Sequence, residues 1–272
     1  MSKTPFQVPE VLVRVTQVQC LKQDRTVEEA TAFFYAHQDG LYLVTNRHVV
    51  RDEEEGFFPE ALRLRLHTDP SDLRKNATCD LALEGADGQP VWREHPAYGE
   101  EVDVVAIPLD KQEMEGRFLV RAFRQADHAP ADLELGIGQV VLVLGYPLGF
   151  HDRLNNLPIV RDATIASLYP VPFEGKPYFL IDARLHGGTS GSPVIAKPTR
   201  YVTKGGQRVA VRFNLMTFLV GVHSATIDCE DRDPDQDEPL GLSVVWYPWL
   251  IPEIIQQQAA TTQATSGVGE EE

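Results

Sequence analysis

Apolar residues in this chain fall into short bursts that alternate with polar ones at period two, and helical spacing is rare. After a loose lead-in over 1–10, Val11-Leu12-Val13-Arg14-Val15 reads as a strand. Thr31-Ala32-Phe33-Phe34-Tyr35-Ala36 and Leu41-Tyr42-Leu43-Val44-Thr45 flank the turn His37-Gln38-Asp39-Gly40. Two aromatic-rich runs about an Asp-Gly predict a hairpin. Asn46-Arg47-His48-Val49-Val50 leaves its second strand. Ala61-Leu62-Arg63-Leu64-Arg65-Leu66-His67 alternates strictly, as a half-buried strand does. Residues 68–98 are polar and turn-rich. Val102-Asp103-Val104-Val105-Ala106-Ile107-Pro108-Leu109 is a further apolar strand with a carboxylate at its start.

From Asp110 to about Ala131 the pattern weakens, and a second strand series opens at Val140-Val141-Leu142-Val143-Leu144-Gly145-Tyr146-Pro147. It runs through Ile159-Val160, 163–169, 178–181, 193–195, 208–211, 218–222 and 242–246. Many short strands with turn signals and few helical periods define an all-β chain, sandwich or barrel. Two series joined by a linker predict two barrels, over 11–115 and 135–255, with the linker at 116–134. Residues 249–255 predict a short terminal helix packing back. The polar, low-complexity stretch 256–272 predicts a disordered tail.

The 272 residues are 43% hydrophobic, enough for a real core. No window approaches 18 apolar residues, so no membrane span is expected. Met1-Ser2-Lys3-Thr4-Pro5-Phe6-Gln7 has neither an apolar core nor a small-residue cleavage site, and no secretory signal is inferred. Cys20, Cys79 and Cys229 are scattered and odd in number, as reduced thiols of a cytoplasmic protein would be. Net charge is −15 (25 − 40), which argues against nucleic acid or an anionic membrane as partner. The acid is concentrated in Asp52-Glu53-Glu54-Glu55 and across Asp228 to Glu238. Such runs are solvated loops or surfaces that steer a basic partner.

The candidate chemistry centres on Leu185-His186-Gly187-Gly188-Thr189-Ser190-Gly191-Ser192-Pro193-Val194-Ile195. Small residues surround one hydroxyl. Gly188 lets the backbone turn so that the N–H groups of Gly188 and Ser190 can face one pocket and hold an oxyanion. Losing one such donor costs roughly 3–4 kcal/mol of transition-state stabilisation. A hydroxyl needs a base and an orienting carboxylate to act as nucleophile. His48 and Asp103 stand at strand ends in the first series, and the chain order His, Asp, Ser follows one of the known triad templates. Taken singly, each has an ordinary reading: a packed histidine, a turn aspartate, a Gly/Ser turn.

Together these segments resemble the trypsin-like serine peptidases of the chymotrypsin fold, most nearly the bacterial, disulfide-free branch of HtrA peptidase domains and glutamyl endopeptidases. The motifs carrying the resemblance are Val44-Thr45-Asn46-Arg47-His48-Val49-Val50, Asp103-Val104-Val105-Ala106-Ile107, Gly145-Tyr146-Pro147-Leu148-Gly149, Gly188-Thr189-Ser190-Gly191-Ser192-Pro193-Val194 and Leu219-Val220-Gly221-Val222-His223-Ser224-Ala225. The resemblance implies two six-stranded antiparallel β-barrels and a catalytic triad of His48 as base, Asp103 as orienter and Ser190 as nucleophile. It also implies an oxyanion hole at Gly188 and Ser190, with Ser224 supporting Asp103. Arg184, His223, Ser224 and Thr226 would line the S1 pocket, and a histidine there with an arginine at its base implies cleavage after acidic residues or Gln.

One departure bears on control. Where animal trypsins carry an acidic residue that pairs with a new N-terminus, this chain has Thr189. The enzyme is then either constitutively competent or ordered by a regulatory protein partner. The expectation is a serine endopeptidase acting on protein or peptide substrates through an acyl-enzyme, with no metal or other cofactor. The rivals are a catalytically silent, peptide-binding relative and an esterase with the same triad.

Overall fold

In the computed structural model, residues 9–197, 201–204, 207–210, 217–227 and 241–256 are described. The acidic stretch 228–238, Cys229 and the tail 257–272 lie outside them. The first unit is a six-stranded antiparallel sheet made of β1 (Val15–Lys22), β2 (Arg25–His37), β3 (Gly40–Thr45), β4 (Ala61–His67), β5 (Asn76–Ala82) and β6 (Val105–Leu109). Their order is β5-β4-β1-β2-β3-β6. A short helix α1 (Arg47–Val50) follows β3, and α2 (Lys111–Arg117) follows β6.

The second unit is a closed barrel. Its strands are β7 (Val140–Gly145), β8 (Ile159–Ile165), β9 (Tyr178–Asp182), β10 (Pro193–Ala196), β13 (Leu219–Thr226) and β14 (Leu242–Trp246). A separate hairpin, β11 (Tyr201–Lys204) with β12 (Gln207–Ala210), stands apart from it. A terminal helix α3 spans 250–256.

The alternation read in β4 matches its burial: Leu62, Leu64 and Leu66 are buried, while Arg63 and Arg65 are only partly covered. The Asp39-Gly40 hairpin is the β2–β3 pair, in register from Phe33↔Val44 to His37↔Gly40. Elsewhere the structure differs from the pattern. Residues 10–13 form a 3-10 turn, and the strand begins at Val15. The stretch from Thr16 to Lys22, the first half of β2 and all of β5 carry too many polar residues to show as strands, yet all three pair in the sheet.

α2 lies where a linker was expected. The Asp110 side chain accepts the Glu113 N–H at 3.0 Å, a helix cap. The same helix sends Met114 and, one turn on, Phe118 into the core. β5 and β6 are the edges of the first sheet, and Met114 and Phe118 join the core cluster against which Cys79 and Leu81 also pack.

Each unit has its own apolar interior, and a third cluster joins them. It packs Phe33, Tyr35 and Val104 of the first against Tyr146, Leu180, Val222 and Trp246 of the second. α3 belongs to this seam. Leu250, Ile251, Ile254 and Ile255 are all buried in it, each contributing roughly 1.5–3 kcal/mol of burial. The seam is where the candidate residues meet.

Candidate active site

His48 is the second residue of α1, directly after β3. Its position is fixed from two sides by one carboxylate. The His48 backbone N–H donates to Asp103 Oδ1 at 2.9 Å, and His48 Nδ1 donates to Asp103 Oδ2 at 2.7 Å. Asn46 ties the same two segments, its side-chain amide donating to the Asp103 carbonyl at 2.6 Å. Asp103 sits just before β6 between Val102 and Val104, both buried, which pin the backbone and leave the carboxylate at the seam.

A third donor comes from the other barrel: Ser224 Oγ donates to Asp103 Oδ2 at 2.5 Å across 121 residues of sequence. Ser224 lies where the β13–β14 register shifts, between His223↔Val245 and Thr226↔Ser243. A bulge of this kind re-aims a side chain out of the ladder. Burial works to lower the His48 pKa. The hydrogen bond and charge of Asp103, with the charges of Glu28 and Asp52, outweigh it and hold the ring above its ordinary 6.5.

Ser190 sits in the turn before β10, and two glycines make that turn possible. Gly188 has φ +85°, and a Cβ there would come within 2.5 Å of the Tyr146 carbonyl oxygen and 3.0 Å of the Leu148 nitrogen. Gly191 has φ +79°, and a Cβ would overlap the Thr31 carbonyl and Thr45 Oγ1. The turn is threaded between the barrels and gripped by Thr31. The Thr31 N–H donates to the Ser190 carbonyl at 2.9 Å, and Thr31 Oγ1 donates to the Gly188 carbonyl at 2.7 Å while accepting from the Tyr146 N–H at 3.0 Å. Thr45, three residues before His48, donates through Oγ1 to the Thr31 carbonyl at 2.8 Å.

The N–H groups of Gly188 and Ser190 have no acceptor among the described residues. Unpaired backbone donors at a buried site are rare enough to mark one that a ligand completes. Ser190 Oγ likewise makes no hydrogen bond to His48. In unliganded hydrolases such contacts are often long and tighten with substrate.

Of the residues expected in S1, His223 is 3% exposed, and its Nδ1 donates to the Thr189 carbonyl at 2.9 Å. Burial pushes its pKa down to about 4, so the ring is neutral. Its Nε2, then an acceptor, is buried without a partner among the described residues. Arg184 and Thr226 are exposed, and Arg184 has no ion pair among the described residues. The structure thus brings His48, Asp103 and Ser224 into direct contact and seats the Ser190 turn beside them. Among the described residues no hydrogen bond joins Arg184 or Thr226 to His223. Sequence reasoning missed Thr31, the strap that holds the turn; a lone hydroxyl between Ala30 and Ala32 was its only signal.

A closed barrel and an open six-stranded sheet, with histidine, aspartate and a glycine-flanked serine at their seam, define the class of chymotrypsin-fold peptidases. The family profile of the trypsin-like peptidase domain matches residues 30–202, more than half of the chain. The chain belongs to that family. Among solved structures it is similar to the serine endoprotease from Yersinia pestis, with TM-score 0.52 and 14% identity over 90% of this chain and 62% of that one. It therefore spans less than two thirds of that protein, and at this identity the likeness is one of fold. A second similarity is to the inactive serine-to-alanine form of Rv3671c from M. tuberculosis H37Rv, with TM-score 0.46 and 19% identity over 96% and 93% of the two chains. No curated protein sequence matches the chain.

Proposed function

We propose that this chain is a serine endopeptidase using Ser190 as nucleophile, His48 as general base and Asp103 as orienter. One observation carries the reading: a single carboxylate collects the backbone and ring N–H of His48 and the hydroxyl of Ser224, from three distant segments. With Nδ1–H committed to Asp103, the His48 lone pair is on Nε2, the nitrogen that would face the substrate side. His48 Nε2 takes the Ser190 proton as Oγ attacks the peptide carbonyl carbon. The oxyanion accepts from the N–H groups of Gly188 and Ser190. The imidazolium then gives its proton to the leaving amine nitrogen, and water reverses the sequence to free the acyl group.

A fluorophosphonate probe tests the reading directly. The expected result is covalent labelling at Ser190. Absence of labelling, in the presence of protein substrates or binding partners as well as alone, would favour a silent peptide-binding relative. Thr189, with no charge to lock the turn, supports control by a regulatory partner over constitutive competence.

For the P1 residue, exposed Arg184 suits a carboxylate or the oxygen of an amide, while Nε2 of neutral His223 is buried. A neutral ring gives no charge-based preference for Lys or Arg. Across peptides varied only at P1, turnover after Gln or Glu is expected to exceed that after Lys or Arg by about tenfold or more. Best turnover after Lys or Arg would remove His223 and Arg184 from substrate recognition.

A further inference from the structure

A second cleft lies beside the Ser190 turn, outside the machinery just described. It has a volume of about 310 Å³, between the outer face of the first sheet and the loop that follows β7. Its floor follows from strand periodicity. In β4 the residues opposite to buried Leu62, Leu64 and Leu66 are Arg63 and Arg65, and they share this face with Gln17 and Gln19 of β1. Register decides which arginine is used up. Arg63 stands across from Asp80, and the two form a bidentate pair with both distances 2.7 Å. Arg65 stands across from Thr78, which offers no charge. Its guanidinium has no ion pair among the described residues and reaches only the Arg153 carbonyl, at 3.5 Å.

The roof adds exposed Arg153, also without an ion pair, and His151, whose Nε2 is buried with no partner, in both cases among the described residues. The one carboxylate lining the cleft, Glu29, lies against Gly149, where a Cβ would overlap it, and accepts from Gln19 at 3.3 Å. In a chain of net charge −15, two guanidiniums that line one cleft without an ion pair among the described residues need an explanation. We propose that this cleft binds an oxyanion, and that its source is an acidic segment of a polypeptide. Leu148 and Phe150, on the same loop, are 74% and 66% exposed and give such a segment apolar contacts that a free phosphate would not use.

The cleft is coupled to the candidate active site through its wall. The Leu148 N–H donates to the Gly187 carbonyl at 2.7 Å, immediately before Gly188. Leu148 holds a left-handed backbone, φ 51°, that a non-glycine residue keeps only when its surroundings fix it. The loop is anchored beyond the cleft by Asn156, which donates to the Arg65 carbonyl, and by its Asn155 carbonyl, which accepts from His67, both at 2.8 Å. An occupant bridging Arg65 and Arg153 therefore steadies the segment that contacts the oxyanion turn. This consequence rests on the peptidase reading; the binding site does not.

The test uses the full chain carrying Ser190→Ala, so that nothing is cut, with titration calorimetry at low salt. The probes are a short peptide alternating Leu and Glu, its Leu/Gln counterpart and inorganic phosphate. Saturable binding of the Glu peptide is expected, weaker by about tenfold or more with the Gln peptide and with Arg65→Gln or Arg153→Gln. Arg65→Lys keeps the charge and should retain part of the affinity. If Arg65→Gln does not fold, Arg153→Gln, at an exposed loop position, decides alone. No binding of the Glu peptide, or binding indifferent to both arginines, overturns the proposal. Arginine-dependent binding of phosphate alone overturns the polypeptide source. Loss of binding on Arg184→Gln with neither cleft arginine mattering would place the anion in S1 and also overturns it.

With Ser190 restored, the Glu peptide should speed fluorophosphonate labelling, and Arg65→Gln should abolish the gain. An unchanged rate with intact binding overturns the coupling to the oxyanion turn. Absent labelling with intact binding sinks the peptidase reading and spares the site.

Discussion

Ser190→Ala is expected to lower kcat/KM for a protein substrate by about 10⁴–10⁶-fold while leaving the thermal melt unchanged. The size follows from the proposed mechanism: the substitution removes the atom that would form the acyl-enzyme and leaves the proposed oxyanion donors and the His48–Asp103 pair untouched. The melt should hold because Ser190 Oγ makes no hydrogen bond among the described residues, while the contacts that seat the turn are made by its backbone. Activity within tenfold of the unmodified chain would take Ser190 out of the mechanism.

Asp103→Asn is expected to cost about 10⁴-fold in kcat/KM. An amide of the same shape can present its NH₂ to His48 Nδ1, which would put the ring proton on Nε2, where the base must be free. The pH profile carries a second signature. With Asp103 present, the ring titrates above its ordinary 6.5, so the acid limb of kcat/KM has its midpoint above that value, and activity rises as the ring deprotonates. Removing the carboxylate deletes the hydrogen bond and charge that oppose burial, so the limb of the residual activity should move to lower pH. The linkage has the same sign in stability. A folded pKa raised above the unfolded one stabilises the fold fully below about pH 6.5, and that contribution is lost as pH rises through the folded value. An unshifted acid limb would mean that another group sets the pKa of His48.

Much of the architecture could be read before any coordinates. β4 and the β2–β3 hairpin are legible because one face of each meets an apolar interior and the other does not, so burial prints a period of two onto the sequence. Of the strands missed, β1 is covered on its outer face as well, whereas Arg25–Glu28 of β2 and all of β5 bury too little to print a period. Gln17 is 7% exposed in β1 because the loop after β7 folds over it, and a polar residue buried beneath a loop breaks the alternation. α2 escaped because a single apolar turn, Met114 to Phe118, is too short for a helical period to show. Yet its cap was visible in Asp110 and Glu113.

The same division runs through the site. The sequence by itself singled out the candidate groups: a hydroxyl flanked by glycines, an imidazole at one strand end and a carboxylate at another, all local choices of residue type and backbone freedom. Only the tertiary structure decided how they are joined. Ser224 reaches Asp103 through a bulge set by pairing with β14. Thr31 spans the seam to hold the Ser190 turn. Arg63 is neutralised and Arg65 left free by the one-strand register that puts Asp80 opposite the first and Thr78 opposite the second. Residue type is written locally, but contact between segments a hundred residues apart is set by how two independent cores pack, and no short stretch of chain records that.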